Sequence, residues 1–163
     1  MSNDLPSIYQ QSLRNTHAAE KQGLVEMGLQ IKSLDPYPEY KALLQRHIET
    51  TEGQLARLDT AMEEAGAHSA ALREGVTSAV GTAATAVHGV MPDATLKNLY
   101  AGYAYQGEQI AAYQSLAVIA EAAGFAGHRS WIEQSLEEER TAAREVEALI
   151  EPVTRTWLAL NGK

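Results

Sequence analysis

The chain contains no cysteine, and this absence narrows its possible chemistry. Without cysteine there is no disulfide, no thiolate nucleophile, no zinc ribbon and no iron–sulfur cluster. Phenylalanine occurs once, runs of β-branched residues are scarce and alanine is abundant, which favours helices over strands. The longest uncharged stretch, residues 75–91, is too polar and slightly too short to span a bilayer.

Excess positive charge is also lacking, since the 163 residues include 21 acidic and 13 basic side chains, for a net charge of -8. An acidic chain has no generic attraction to DNA, RNA or anionic lipid, so we expect neither a nucleic-acid nor a membrane partner. The N-terminal stretch MSNDLPSIYQQ lacks the basic-then-apolar order of a signal peptide, and we expect a cytoplasmic protein. The length suits one domain, covering residues 1–163.

Apolar residues recur at spacings of three and four along four long segments, which is typical of amphipathic helices. A crossover of about residues 67–92, which contains a short extra helix, separates the second segment from the third. This order predicts an all-α, ferritin-like four-helix bundle made of two antiparallel helical hairpins. The predicted long helices cover about residues 5–33, 36–65, 94–123 and 130–158.

Residues near the predicted helix ends carry boundary signals. Asp35 precedes Pro36 and is expected to cap the second helix. Ser130 and Glu133 have the spacing of a capping box at the start of the fourth helix. Pro152 is expected to kink or end that helix. Glycines suited to left-handed helix stops are Gly66, Gly124 and Gly127.

Two carboxylates occupy core-facing positions, Glu20 in the first helix and Glu139 in the fourth. Burying a charge is costly unless the charge is paired or bound to a metal ion. His47 faces inward on the second helix. We therefore predict Glu20, His47 and Glu139 as candidate metal ligands. The other inward polar positions are neutral: Thr50, Thr51, Gln54, Gln106 and Gln109.

The number of carboxylates leaves two interpretations open. A dinuclear iron site in a bundle needs about six ligands, mostly carboxylates, and the inward set supplies only Glu20 and Glu139. In the first interpretation a buried network of His47, the glutamines and tyrosine hydroxyls holds both carboxylates, and no metal binds. In the second, Glu20, His47 and Glu139, with Glu49 or Glu138 as a further ligand, hold one Mn, Fe or Zn ion.

Four segments, one in each predicted helix, resemble motifs of the YciE/YciF family of ferritin-like bacterial proteins. They occur in the family's order, and the resemblance runs from about residue 8 to about residue 150. It implies a homodimeric, cytoplasmic bundle that is linked to stress responses and has a ferritin-type dinuclear metal site. The segments are HAAEKQ at 17–22, HIETTEGQ at 47–54, IAAYQSL at 110–116 and LEEER at 136–140.

The resemblance also implies which ligands are missing. Glu20 corresponds to the family's first-helix ligand and Glu139 to its fourth-helix acidic motif. Thr50, Gln106 and Gln109 stand where the family usually has glutamates, so the dinuclear site is degenerate. The resemblance therefore predicts a stress-associated protein with a structural or binding role, no catalytic residue, and Fe or Mn at low occupancy or not at all.

Two alternatives to this function stay open. One is a metal-binding protein or oxidase whose altered site holds a single Fe or Mn ion. The other is a scaffold that binds a second copy or an unknown protein partner. In the scaffold, apolar residues of the crossover would cover the interface: Val76, Val80, Val87, Val90 and Met91.

Overall fold

The computed structural model describes residues 4–67 and 93–162, and these residues are almost entirely helical. The four long helices are α1 (Leu5–Gln30), α2 (Pro38–Glu64), α3 (Ala94–Ala122) and α4 (Arg129–Asn161). Short 3-10 turns at Ile31–Ser33 and Ala126–His128 join α1 to α2 and α3 to α4. No strand occurs in the described ranges. The predicted crossover helix and the apolar residues assigned there to an interface lie outside them.

The helices run up, down, down and up. One apolar cluster joins the starts of α1 and α4 to the ends of α2 and α3, and a second cluster joins the opposite ends. The end of α2 and the start of α3 therefore lie at opposite ends of the bundle, as they do in ferritin-like folds. The predicted all-α, ferritin-like bundle of two antiparallel hairpins is confirmed. The first cluster includes Tyr9, Met62, Ala120 and Ile132, and the second includes Met27, Leu44, Leu99 and Val146.

Two predicted helix caps are wrong, because Asp35 pairs with a lysine and because α4 begins before Ser130. The Asp35 carboxylate accepts a hydrogen bond from Lys41 Nζ at 2.6 Å and does not cap α2. The first turn of α4 has no side-chain cap, so Ser130 and Glu133 form no capping box. Glu133 instead lies 2.7 Å from Arg129 Nε.

Pro152 lies inside α4, which continues to Asn161, so of the two predicted effects, a kink or an end of the helix, the end does not occur. Proline removes one helical N–H, which leaves the carbonyl oxygen of Ala148 without its usual partner. Both residues are exposed, so water can replace the lost hydrogen bond. Gly66 and Gly124 end α2 and α3 with φ of +65° and +88°, as predicted, whereas Gly127 has no positive φ.

A layer of buried polar side chains lies between the two apolar clusters, where the middle turns of the four helices face each other. The spacing of three and four residues directs these side chains inward in the same way as their apolar neighbours. No helix in the described part of the chain has the length and apolarity needed to cross a bilayer. This polar layer consists of Glu20, His47, Thr51, Gln54, Gln106, Gln109, Ser135 and Glu139.

Candidate functional site

Glu20 is completely buried and is held by two tyrosines of α3. Its Oε1 accepts a hydrogen bond from the Tyr113 hydroxyl at 2.9 Å, and its Oε2 lies 3.2 Å from the Tyr105 hydroxyl. Burial, followed by the neighbouring Glu139 carboxylate, raises the pKa of Glu20 to about 7, although the two phenols oppose the shift. Glu20 therefore exchanges a proton near neutral pH.

Tyr105 belongs to this site, and sequence reasoning missed it. Its hydroxyl oxygen lies 3.1 Å from the Ala19 carbonyl oxygen and accepts a hydrogen bond from Gln109 Nε2 at 3.0 Å. Gly23 makes room for the ring, since a Cβ there would lie 2.5 Å from the Tyr105 hydroxyl oxygen. The spacing of four between Tyr105, Gln109 and Tyr113 is a signal that could have found it.

Glu139 is the second completely buried carboxylate, and side chains of α2 partner it. Its Oε1 accepts a hydrogen bond from Gln54 Nε2 at 2.6 Å and lies 3.9 Å from His47 Nε2. The Nε2 of Gln106 lies 3.4 Å from His47 Nδ1. The structure thus brings His47 and Glu139 together, and Glu20 lies close enough for its pKa to respond to both of them.

Five buried side-chain oxygens of the polar layer have no hydrogen-bond partner among the described residues. An unpaired buried acceptor costs about 1–3 kcal/mol, so this concentration is unusual for a structural core. Carboxylate, amide and hydroxyl oxygens are the ligands that hard cations prefer. The layer is therefore chemically suited to a cation or to ordered water. The atoms are Thr51 Oγ1, Gln54 Oε1, Gln106 Oε1, Gln109 Oε1 and Glu139 Oε2.

A dinuclear iron centre does not fit these residues. Across residues 4–67 and 93–162, no three His, Asp or Glu side chains come close enough to hold a metal ion. The two further carboxylates considered from the sequence do not join the layer. Glu49 is exposed, and Glu138 is paired with Arg57.

The positions predicted as lost ligands differ in their placement. Gln106 and Gln109 are buried in the layer, as predicted. Thr50 does not face inward, because it is partly exposed and its hydroxyl donates to the Arg46 carbonyl oxygen at 3.1 Å. Thr51 is the completely buried threonine of this turn. The inward prediction is therefore correct for Thr51 and Gln54 and wrong for Thr50.

Residues 4–159 match the family model described as "Domain of unknown function (DUF892)". The chain belongs to the DUF892 family. Its fold is similar to the crystal structure of a protein from Xanthomonas campestris pv. campestris, with a TM-score of 0.81 and 22% sequence identity over 98% of this chain and 99% of that chain. At this identity the similarity shows the fold alone.

The charge of the DUF892 site limits what it can bind. Its two buried carboxylates supply at most two negative charges, and burial, followed by Glu139, raises the pKa of Glu20 to about 7, so this carboxyl holds its proton more readily than an ordinary glutamate. One divalent cation would be balanced by this charge once the proton leaves. Two irons would not be balanced, because the other ligand atoms of the layer are neutral.

Proposed function

We propose that this DUF892 protein is a non-catalytic, ferritin-like binding protein whose polar layer holds a single divalent cation. The five unpaired buried oxygens of the polar layer, one of which belongs to Glu139, carry the proposal. Neutral oxygen ligands with two carboxylates favour Mn²⁺, Mg²⁺ or Ca²⁺ over metals that prefer thiolate or several imidazoles. Fe²⁺ remains a competitor because it accepts the same carboxylates and His47.

The same ligand set argues against oxidase activity. Ferritin-type oxidation uses two irons held by several carboxylates, and here Gln106 and Gln109 occupy inward positions with neutral amides. No electron-transfer or oxygen-activating step is therefore assigned to this chain. A binding or structural role remains, with the cation joining α1, α2, α3 and α4 at the middle of the bundle.

The test is the metal content of protein purified without a His-tag, measured by mass spectrometry before and after anaerobic loading with Mn(II) and with Fe(II). We expect about one cation per chain. About two per chain, with oxygen consumption, would contradict the proposal and restore the oxidase interpretation. No bound cation after loading would favour the second candidate.

The second candidate is a metal-free bundle with a purely structural polar network. It is favoured by the existing partners of both carboxylates, since Glu20 has two phenols and Glu139 has the Gln54 amide. The Glu20→Gln variant separates the two candidates. It should lose the cation of a binding protein while remaining folded, whereas in a structural network it would leave the metal content at zero.

The same proposal includes four further points: the specific YciE/YciF relationship, the homodimer, the stress-linked role and the cytoplasmic location. The four helix motifs support them, and the protein partner, if it is not a second copy, is unidentified. Light scattering tests the dimer, and a monomer would remove it. Protein level after osmotic and oxidative challenge tests the stress link, and an unchanged level would contradict that part.

A further inference from the structure

A groove of about 450 Å³ lies between α2 and α4, and His47 forms part of its wall. His47 is also a buried member of the polar layer, so the groove reaches the layer at this side chain. The imidazole therefore stands between an opening at the surface and the polar layer. We call this opening the α2–α4 groove.

Small side chains create the α2–α4 groove. Thr50 and Ala142 lie three residues after His47 and Glu139, on facing helices, and both line the groove. In bundles with dinuclear carboxylate sites, a Glu-x-x-His motif places an imidazole at this i+3 position of two helices. On α4 the methyl group of Ala142 stands in the place of that imidazole, and on α2 the short side chain of Thr50 stands where the family resemblance implies a glutamate, which leaves open space beside the layer.

The size of the groove suits a hydrated divalent cation. Six waters at about 30 Å³ each occupy about 180 Å³, which is less than the groove provides. The residues of the layer behind His47 are almost completely buried, so a cation that enters the layer must exchange most of its hydration shell for protein oxygens. Replacement ligands are available there, because Glu139 Oε2 and Gln106 Oε1 are unpaired.

The charge of the groove does not exclude a cation. Three glutamates and one arginine line it, which gives a formal charge of -3 + 1 = -2. Arg46 lies 3.5 Å from Glu145 across the groove, and both side chains are largely exposed. An exposed ion pair of this kind contributes little to stability and opens readily. Arginines beside the groove balance its acidic lining, so a cation is not repelled. The pairs are Glu138 with Arg57, and Glu137 with Arg140 and Arg144.

We propose that the α2–α4 groove is the route by which a divalent cation reaches the polar layer, and that His47 is the last side chain it passes. This inference rests on the proposed function, because it assumes that the layer binds a cation. It goes beyond that function because a cation site in the layer does not by itself require that the groove be its entry route. Narrowing the groove should therefore change the rates of binding and release without changing how much cation binds.

The test is a comparison of Thr50→Leu with Thr60→Leu. Both threonines lie on α2 and donate to the carbonyl oxygen four residues earlier at 3.1 Å, but Thr60 is exposed and away from the groove. Stopped-flow mixing with a fluorescent chelator of free Mn²⁺ gives binding and release rates. We expect the binding and release rates to fall about tenfold or more in Thr50→Leu, while its final Mn²⁺ occupancy equals that of the parent. In Thr60→Leu both rates and the occupancy should equal those of the parent.

The outcomes are distinct. Equal rates in the parent, Thr50→Leu and Thr60→Leu would overturn the route while leaving the proposed function intact. A parent that binds no Mn²⁺ would overturn both. Ala142→Leu narrows the groove from the α4 side and should repeat the slowing if Thr50→Leu folds poorly, and Ala148→Leu, on an exposed part of α4, is its control.

Discussion

At the scale of single residues, Glu20 couples the charge of the site to the pH. Its pKa lies at about 7 instead of the ordinary 4.5 because the carboxyl is buried and faces Glu139. A carboxyl with a raised pKa stabilises the folded state fully below the unfolded value, and this contribution is lost as the pH rises through the folded value. The metal-free protein should therefore lose stability as the pH rises from about 4.5 to about 7.

Replacing Glu20 with Gln should remove this pH dependence. A shift of this size corresponds to about 3 kcal/mol in the free energy of unfolding. Urea denaturation of metal-free protein at pH 5 and pH 8 should show a smaller loss in Glu20→Gln than in the parent, by up to about 3 kcal/mol. Glu52→Gln, at an exposed position of α2, is the control and should behave like the parent. Identical pH profiles for all three proteins would show that Glu20 titrates normally.

Gly23 is a second residue whose effect can be measured directly. A Cβ at this position would lie 2.5 Å from the Tyr105 hydroxyl oxygen, so Gly23→Ala should displace the ring from Glu20. We expect a loss of about 1–3 kcal/mol in the free energy of unfolding, because a buried carboxyl loses a hydrogen bond. Gly28→Ala on the same helix meets nothing within 4 Å and should stabilise the protein by up to about 1 kcal/mol.

A double variant decides whether the Tyr105 contact is the cause. In a Tyr105→Ala background the clash is absent, so adding Gly23→Ala should no longer destabilise the protein. If Gly23→Ala lowers the free energy of unfolding by the same amount with and without the Tyr105 ring, a clash with this ring does not explain the need for glycine at position 23.

The carboxylates and glutamines of the site could be predicted from the sequence, whereas its packing could not. Glu20, Gln106, Gln109 and Glu139 interrupt apolar stripes, and the helical period alone directs them inward. The contact between Gly23 and Tyr105 joins residues on different helices, and its distance depends on how closely α1 and α3 approach. No periodicity within one helix contains that information.

At the scale of the helices, a chain of hydrogen bonds ties three of them together at one end of the bundle. The hydroxyl of Tyr9 on α1 lies 2.7 Å from Nδ1 of His128, which directly precedes α4. Nε2 of His128 lies 2.7 Å from Glu64 Oε2 at the end of α2. A neutral imidazole with its proton on Nε2 accepts from the phenol and donates to the carboxylate. Burial raises the pKa of Tyr9, so the phenol keeps its proton.

Removing the Tyr9 hydroxyl should loosen this connection. Tyr9→Phe leaves a buried imidazole nitrogen without its partner, and we expect a loss of about 1–3 kcal/mol in the free energy of unfolding. Thermal or urea unfolding gives the value. Tyr103→Phe, on the exposed face of α3, should change it by less than about 0.5 kcal/mol. A Tyr9→Phe variant as stable as Tyr103→Phe would mean that the chain of hydrogen bonds carries no net stability.

The number and order of the helices follow from the sequence, but several of their ends do not. Apolar periodicity over about 30 residues averages out local exceptions, so the four helices and their ferritin-like arrangement are predicted well. A helix end depends on one or two side chains. Asp35 pairs with Lys41, and Pro152 loses its hydrogen bond on the water side of α4. Both outcomes are decided by competing partners and solvent exposure, which a local pattern does not report.

At the scale of the whole molecule, the polar layer divides the apolar core into two clusters. Each unpaired oxygen of the layer lowers the stability of the fold, whereas apolar residues at these positions would join the two clusters. A layer that serves only stability is therefore worse than its apolar replacement. If the layer is retained for binding, exchanging it for apolar residues should raise stability and abolish cation binding.

The hydrogen-bonded pair Gln54 and Glu139 allows a direct test of whether the polar layer lowers stability and is needed for cation binding. Gln54→Leu alone should destabilise the bundle by about 1–3 kcal/mol, because it leaves both oxygens of a buried carboxyl unpaired. The double variant Gln54→Leu/Glu139→Leu removes the carboxyl as well, so its free energy of unfolding should exceed that of Gln54→Leu by about 3–5 kcal/mol. It should also equal or exceed that of the metal-free parent. Calorimetry of metal-free protein gives these values, and Mn(II) loading should show no binding to the double variant. A double variant that is less stable than Gln54→Leu would contradict this expectation. The Glu139 carboxyl would then stabilise the bundle even without its Gln54 partner, and the polar layer would be needed to align the four helices.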